Sequence, residues 1–280
     1  MKIGYTVWTW IIRLFEETHT WEPKSNRSRL DFEEAIRSIA HLGYTSVECF
    51  NQIVDIYDGA DAEFDILLKE YGISFECIYL YLSEDSTADV ATAEKCFIFM
   101  KRHNIPFANL QASARPEGRV PTREEVKKEA DKARQIGVLG KQYGVTVCLH
   151  PHLGTMVENK QDIDWFAEFV NAEDVSFCFD TAHILTGGMN VVDMFSQYVS
   201  RMPYVHLKDV SATLEPGQTQ FDRFRPVGEG IVDFTGVLEV LKNHGYRGVL
   251  CVEVDNPQVC NYEAAQTSIQ YLKKLEAKGY

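Results

Sequence analysis

Residues 145–155 read VTVCLHPHLGT, a hydrophobic run that stops at two histidines separated by a proline. A short apolar run rich in β-branched residues predicts a buried strand that ends at His150. The preceding stretch, residues 121–144, opens with proline and threonine and closes on Gly144, a pattern typical of a helix with glycine after its last turn. This part of the chain therefore predicts a helix followed directly by a strand.

Hydrophobic runs of strand length recur along the whole chain. The other seven are IGYTVW (3–8), SVECF (46–50), FECIYL (75–80), FANLQ (107–111), SFCFD (176–180), YVHL (204–207) and VLCVEV (249–254). Helical patterns that close on glycine lie between or after several of them, at residues 31–43, 60–72, 233–245 and 262–279.

Eight strand–helix units predict a single (β/α)8 TIM barrel domain over residues 1–280, since such a barrel takes about 250 residues. A doubly wound open sheet stays the alternative, because alternation of strands and helices does not by itself establish closure. Three connections, at residues 11–30, 112–121 and 208–232, are longer than minimal loops. Loops that follow the strands surround the active site of a barrel, so these connections are expected there.

Composition and charge favour a globular protein and argue against several kinds of partner. Hydrophobic residues make up 45% of the chain and charged residues 25%, as in globular proteins with a sizeable core. The formal net charge of -13 argues against a nucleic-acid or anionic-membrane partner, because phosphate binding needs a basic surface. The opening MKIGYTVWTW lacks the pattern of a signal peptide, and the seven cysteines include no Cys-x-x-Cys pair. A cytoplasmic protein with reduced thiols is the expectation.

Polar residues close four consecutive predicted strands at the same spacing. The ends read Cys148-Leu-His150, Cys178-Phe-Asp180, Tyr204-Val-His206 and Cys251-Val-Glu253. Residues two apart in a strand share a face, and in a parallel barrel the carboxyl ends of the strands meet at one rim. Two imidazoles and two carboxylates that converge there suit Mn²⁺, Co²⁺, Zn²⁺ or Mg²⁺, and a cation would relieve repulsion between the carboxylates. The alternative is that each residue only caps its own strand.

Other polar and aromatic residues flank this predicted rim. His152, His183 and Lys208 follow the strand ends, and each is a candidate base, acid or hydrogen-bond partner of a substrate. Backbone hydrogen bonds within the loops are the alternative for each of them. The candidate substrate-binding residues are Glu48, Trp8, Tyr79 and, among the arginines of the long loops, Arg225. Core packing or solvated loop charge is the alternative for these four.

Several motifs resemble those of the xylose isomerase-like barrel superfamily of sugar isomerases, epimerases, inosose dehydratases and endonuclease IV. They are FDTAH (179–183), HLKD (206–209), PVGEG (226–230) and VEVD (252–255). The resemblance implies one divalent metal ion per chain, with Mn²⁺ as the expected ion, bound by His150, Asp180, His206 and Glu253. It also implies a polyhydroxy ketone as the substrate, and a homo-oligomer is compatible with it.

The segment HPHLGT (150–155) resembles inosose dehydratases, whereas epimerases of the group typically carry a glutamate at the position of His150. An endonuclease IV function is rejected, because predicted strands three and four end without the histidines that this enzyme needs. Its Asp-x-His motif is also incomplete here, since Phe224 stands at the position of the histidine.

The resemblance predicts proton abstraction next to the carbonyl of a keto-sugar or keto-inositol, followed by loss of hydroxide. Glu253 is expected as ligand and base, with His152 and His183 as competing bases and Lys208 stabilising negative charge. A sugar isomerase or epimerase of the D-tagatose 3-epimerase type and a 3-keto-glycoside eliminating lyase are the enzymatic alternatives. A sugar-binding or partner subunit without catalytic activity is the alternative of a different class.

Overall fold

The computed structural model describes residues 2–11, 26–255 and 259–279. Most of the predicted connection 11–30 lies outside the described residues. The first predicted strand, residues 3–8, is shorter than expected, because the strand ends at Thr6 and Trp8 already begins a helix.

Eight strands form a closed parallel barrel, which confirms the (β/α)8 TIM barrel fold and excludes the open sheet. These strands are β1 (Lys2–Thr6), β2 (Ser46–Phe50), β3 (Ser74–Tyr81), β4 (Phe107–Gln111), β5 (Thr146–His150), β6 (Ser176–Asp180), β7 (Tyr204–Leu207) and β10 (Val249–Val252). The order around the barrel is β1-β10-β7-β6-β5-β4-β3-β2. Two short strands in the predicted long loop, β8 (Asp209–Val210) and β9 (Phe224–Arg225), form an antiparallel pair.

Helices occupy most of the intervals between the strands. They are α1 (Trp8–Ile11), α2 (Asn26–Leu42), α3 (Ile53–Ile56), α4 (Asp61–Tyr71), α5 (Ser86–His103), α6 (Arg123–Tyr143), α7 (Lys160–Phe169), α8 (Thr181–Thr186), α9 (Val191–Tyr198), α10 (Phe234–Asn243) and α11 (Asn261–Ala277). Helix α6 begins with a capping box between Thr122 and Glu125 and ends at Gly144, whose φ of 77° lies in the left-handed region that favours glycine. These two signals explain why the predicted bounds 121–144 nearly match.

The chain divides into two compact units. The first comprises Met1–Cys77, Leu207–Val232 and Val249–Tyr280, and the second comprises Ile78–His206 and Asp233–Gly248. In the first unit β1 pairs in parallel with β2 and β10, and in the second β4, β5, β6 and β7 pair in sequence. The expectation of one domain over residues 1–280 stays a prediction.

Each unit buries large aromatic side chains. Phe32 and Phe64 are fully buried in the first unit, as are Phe97, Phe166 and Phe177 in the second. Burial of one such side chain contributes roughly 1.5–3 kcal/mol, so these residues stabilise the unit in which each of them lies. No helix in the described part of the chain is both long and apolar enough to cross a membrane.

Candidate metal centre and active site

Three of the predicted metal ligands lie together at the carboxyl ends of strands in the second unit. His150 ends β5, Asp180 ends β6, and His206 lies opposite Asp180 in the register of β6 and β7. All three are fully buried, and one ligand atom from each lies within 4.8 Å of the others. His150 Nε2 is 3.1 Å from His206 Nδ1 and 4.0 Å from Asp180 Oδ2. Two imidazoles and a carboxylate in this arrangement could hold a divalent cation.

Hydrogen bonds from neighbouring strands orient the two imidazoles. The Tyr79 hydroxyl donates to Gln111 Oε1 at 3.0 Å and lies 3.1 Å from His150 Nδ1. Because the Tyr79 hydroxyl proton is donated to Gln111, Nδ1 of His150 must carry a proton and donate it to the tyrosine oxygen. Nε2 of the neutral ring then carries the lone pair, which is directed at His206. Asn109 Nδ2 lies 3.3 Å from His206 Nε2 and donates to it. The tyrosine oxygen gives the second ring nitrogen of His150 a buried acceptor, as histidine ligands of metals usually have, whereas Asn109 places a donor against that of His206.

Tyr79 was predicted to bind substrate, and the structure places its hydroxyl against His150 instead of leaving it for a ligand. Its ring also lies 5.3 Å from the ring of Tyr81. A substrate-binding role for Tyr79 stays a prediction. Its contact with His150 was not predicted, because the hydrophobic run of β3 carries no signal for it.

The two carboxylate oxygens of Asp180 have different partners. Its Oδ1 accepts hydrogen bonds from the backbone N–H groups of Ala182 (2.7 Å) and His183 (2.9 Å) and thereby caps α8. Its Oδ2 is the oxygen that faces His150. The motif FDTAH thus places a strand-end carboxylate that can begin a helix with one oxygen and serve as a ligand with the other.

His152 and His183 form an adjacent pair of imidazoles, with ring centroids 3.8 Å apart. The backbone N–H of Leu153 donates to His183 Nδ1 at 3.3 Å, so the proton of the neutral ring is on Nε2. His152 Nδ1 lies 2.8 Å from the carbonyl oxygen of Leu153, which can only accept, so the ring proton of His152 is on Nδ1. The two rings lie 5.7 and 5.5 Å from the ring of His150, so both lie beside one of the candidate metal ligands, and their catalytic roles stay predictions.

A buried group of charges in the first unit contains Lys208 and Glu253. Lys208 Nζ lies 2.8 Å from Glu253 Oε2 and 2.6 Å from Asp255 Oδ2, and it sits 4.8 Å from the ring centroid of Phe224. One ammonium group therefore compensates two carboxylates. Burial, helped by Cys251, Glu253 and Asp255, raises the pKa of the Tyr5 hydroxyl well above its usual range. In the sequence Asp255 stands out only as the last residue of the motif VEVD, and neither it nor Tyr5 was given a role.

Asp209, the last residue of the motif HLKD, anchors the loop that contains PVGEG. Its Oδ2 accepts from the backbone N–H groups of Gly228 (3.0 Å) and Gly230 (2.8 Å), and its Oδ1 from those of Val210 (2.8 Å) and Val232 (3.0 Å). A Cβ atom on Gly230 would lie 2.3 Å from Asp209 Oδ1, so glycine is required for this close approach. The two motifs therefore depend on each other physically, although 16 residues lie between them in the sequence.

The remaining predicted substrate-binding residues are dispersed. Glu48 is fully buried in β2, and Trp8 begins α1, where its ring stacks on Phe50 at 4.9 Å with an interplanar angle of 7°. Arg225 donates from Nη1 to two carbonyl groups of its own loop, at 2.8 and 2.7 Å. Substrate binding by these three residues stays a prediction.

Comparisons with known proteins give a family and several similar proteins. The family described as xylose isomerase-like TIM barrel matches residues 36–275. An inosose dehydratase of Clostridium perfringens is 29% identical over 164 residues, which cover 54% of this chain and 55% of the relative. The chain thus spans about half the length of the first curated relatives it matches. An inosose dehydratase of Geobacillus thermodenitrificans is 24% identical over 269 residues, covering 88% of this chain and 90% of the relative.

A solved structure shares the fold. The crystal structure of the IOLI protein with a binding zinc atom aligns with a TM-score of 0.78 and 18% identity, covering 100% of this chain and 99% of that chain. The similarity establishes a common fold between the two proteins.

Proposed function

We infer that this chain, which belongs to the xylose isomerase-like TIM barrel family, is a metal-dependent dehydratase of a keto-inositol. The observation that carries this proposal is the buried group of His150, Asp180 and His206, with a second pair of imidazoles beside it. The relatives named inosose dehydratase support the choice of substrate class. Buried thiols support a cytoplasmic location, because such thiols persist in a reducing compartment.

We propose Glu253 as the fourth metal ligand, since it follows the last barrel strand in the way that His150 and Asp180 end theirs. The four residues together offer two nitrogen and two oxygen donors, a set that suits Mn²⁺. When bound, the cation supplies Lewis acidity toward the oxygen atoms of the substrate. Lys208 would hold the Glu253 carboxylate in place through the ion pair described above.

The dehydration needs a base for the proton next to the carbonyl and an acid for the hydroxyl that leaves from the adjacent carbon. The products are an unsaturated ketone and water. The tautomers of the imidazole pair support a division of roles: with its Nδ1 proton held by the carbonyl of Leu153, neutral His152 has a lone pair on Nε2 and would take the proton. His183, with its proton on Nε2, would donate a hydrogen bond to the leaving hydroxyl, and the proton that His152 has taken would pass to that hydroxyl, which leaves as water.

His150 distinguishes this proposal from the epimerase alternative. An epimerase that removes and returns a proton on opposite faces needs two bases, and a histidine stands here in place of the glutamate typical of such enzymes. His150 is moreover bound through Nδ1 to Tyr79 and directed through Nε2 at His206, which suits a ligand better than a base.

The experiment uses the Mn²⁺-loaded protein with 2-keto-myo-inositol in D₂O, followed by NMR. We expect vinyl signals of an unsaturated ketone, and a large loss of rate in His152→Ala and in His183→Ala. His244→Ala is the matched control, because His244 is exposed and its ring bonds, among the described residues, only the carbonyl of Val240 in the helix that it follows. Deuterium that enters the substrate without an unsaturated product would favour the epimerase. If metal is bound and both signals are absent, the proposed chemistry is refuted.

A further inference from the structure

A cavity lies at the amino-terminal ends of three strands in the second unit. Its volume is about 440 Å³, and Phe107, Thr146 and Ser176, the first residues of β4, β5 and β6, line it. Since the Cα atoms at the two ends of a five-residue strand are about 13 Å apart, the cavity is distinct from the metal ligands His150 and Asp180. The volume falls within the roughly 300–1,000 Å³ of small-molecule sites.

Arg201 brings a largely buried positive charge to this cavity. Its guanidinium donates to the carbonyl oxygen of Val175 at 2.7 and 3.2 Å and to that of Ala167 at 3.2 Å. It also lies 4.6 Å from the ring centroid of Phe177. No carboxylate among the described residues forms an ion pair with it, and two of its five N–H groups are outside these hydrogen bonds. Burial lowers the pKa of Arg201 to about 10, the direction expected for a cation without a counter-ion.

Arg247 adds a second positive charge to the lining. It is exposed and makes no hydrogen bond or ion pair within the described residues. Glu173 is the single carboxylate of the lining, so the cavity carries a net positive charge in a chain whose formal net charge is -13. The buried side chains of Met202 and Tyr246 supply an apolar wall.

We propose that this cavity binds a small organic anion, a carboxylate or phosphate ester with an apolar body. The anionic group accepts hydrogen bonds from Arg201 and Arg247, and the apolar body packs against Phe107 and Tyr246. Hydrogen bonds to two guanidinium groups supply the affinity, and the apolar wall supplies the preference for an organic ligand over inorganic phosphate. This site is independent of the proposed dehydratase activity.

The test is isothermal titration calorimetry of the intact protein with phenyl phosphate, with inorganic phosphate and neutral benzyl alcohol as comparison ligands. We expect phenyl phosphate to bind more tightly than either, and Arg247→Gln to weaken it about tenfold, the effect of losing one charge-assisted hydrogen bond. Arg134→Gln removes the same charge from the exposed face of α6 and should leave binding unchanged. Ser200→Trp keeps both arginines, fills the cavity from an exposed lining position and should abolish binding.

Three results would overturn the proposal. One is no detectable binding of phenyl phosphate at millimolar concentration. Another is equal affinity for benzyl alcohol, which would show apolar binding without recognition of charge. The third is an equal loss in Arg247→Gln and Arg134→Gln, which would show an effect of net charge alone. Because Arg247 is exposed and makes no hydrogen bond or ion pair with the described residues, we expect Arg247→Gln to fold as the wild type does.

Discussion

Substitution of Asp180 separates two roles that one carboxylate is proposed to combine. Asp180→Asn keeps an oxygen that can accept from the N–H groups of Ala182 and His183 but removes the charge, whereas Asp180→Ala removes both. Loss of a helix cap costs about 0.5–2 kcal/mol, and a buried N–H left without an acceptor costs about 1–3 kcal/mol. Since both N–H groups are buried, we expect Asp180→Ala to lower the free energy of unfolding by about 2–4 kcal/mol. Asp180→Asn should change it by less than about 1 kcal/mol.

The two variants should behave alike toward metal. We expect about one divalent ion per wild-type chain and almost none in either variant, because the amide is a poor ligand for a site built on a carboxylate. Urea unfolding in EDTA, followed by circular dichroism, measures stability, and plasma mass spectrometry after dialysis against Mn²⁺ measures metal content. Equal destabilisation of the two variants would contradict the cap, and full metal content in Asp180→Asn would contradict the ligand role.

Further substitutions test the surroundings of the site and one exposed pair. Lys208→Met should lower the free energy of unfolding by about 3–5 kcal/mol, because the buried Glu253 carboxylate and the partly buried Asp255 carboxylate lose their shared ammonium. Urea titrations of the variant and the wild type measure this loss. Tyr79→Phe should weaken metal binding about 10- to 100-fold, since His150 loses the acceptor of its Nδ1 proton, and competition with a chelating dye measures the affinity. Hydrogen bonds from Arg119 hold the pKa of Glu125 well below its usual range. The Glu125 carboxylate therefore stabilises the fold at any pH above the pKa that it has in the unfolded chain. This contribution to the free energy of unfolding declines as the pH falls from about 5 toward 2. Thermal melts of wild type and Glu125→Gln should therefore differ at neutral pH and converge in acid; a constant difference would contradict the assignment.

Local sequence signals were sufficient for the elements and for part of the site. Strands of four to eight residues alternate with helices that close on glycine or Asn104, and both signals depend on neighbours a few residues away. The boundary errors have the same local origin: Trp8 extends the first hydrophobic run but begins a helix. Because the side-chain period of a strand is two, the sequence also placed His150 and Asp180 at strand ends, where the structure has them.

The relations between these side chains were decided only by the tertiary structure. Barrel closure depends on pairing between strands far apart in sequence, as in β1 with β10, and no local pattern encodes it. The proton positions of His152 and His183 follow from which backbone groups of Leu153 they meet, and the role of Asp209 follows from the return of a loop about 20 residues later. The sequence by itself thus determined which residue types stand at the strand ends, because burial and periodicity act locally. Only the folded chain decided what each side chain contacts, because hydrogen bonds and ion pairs require distant residues to come within about 3 Å of each other.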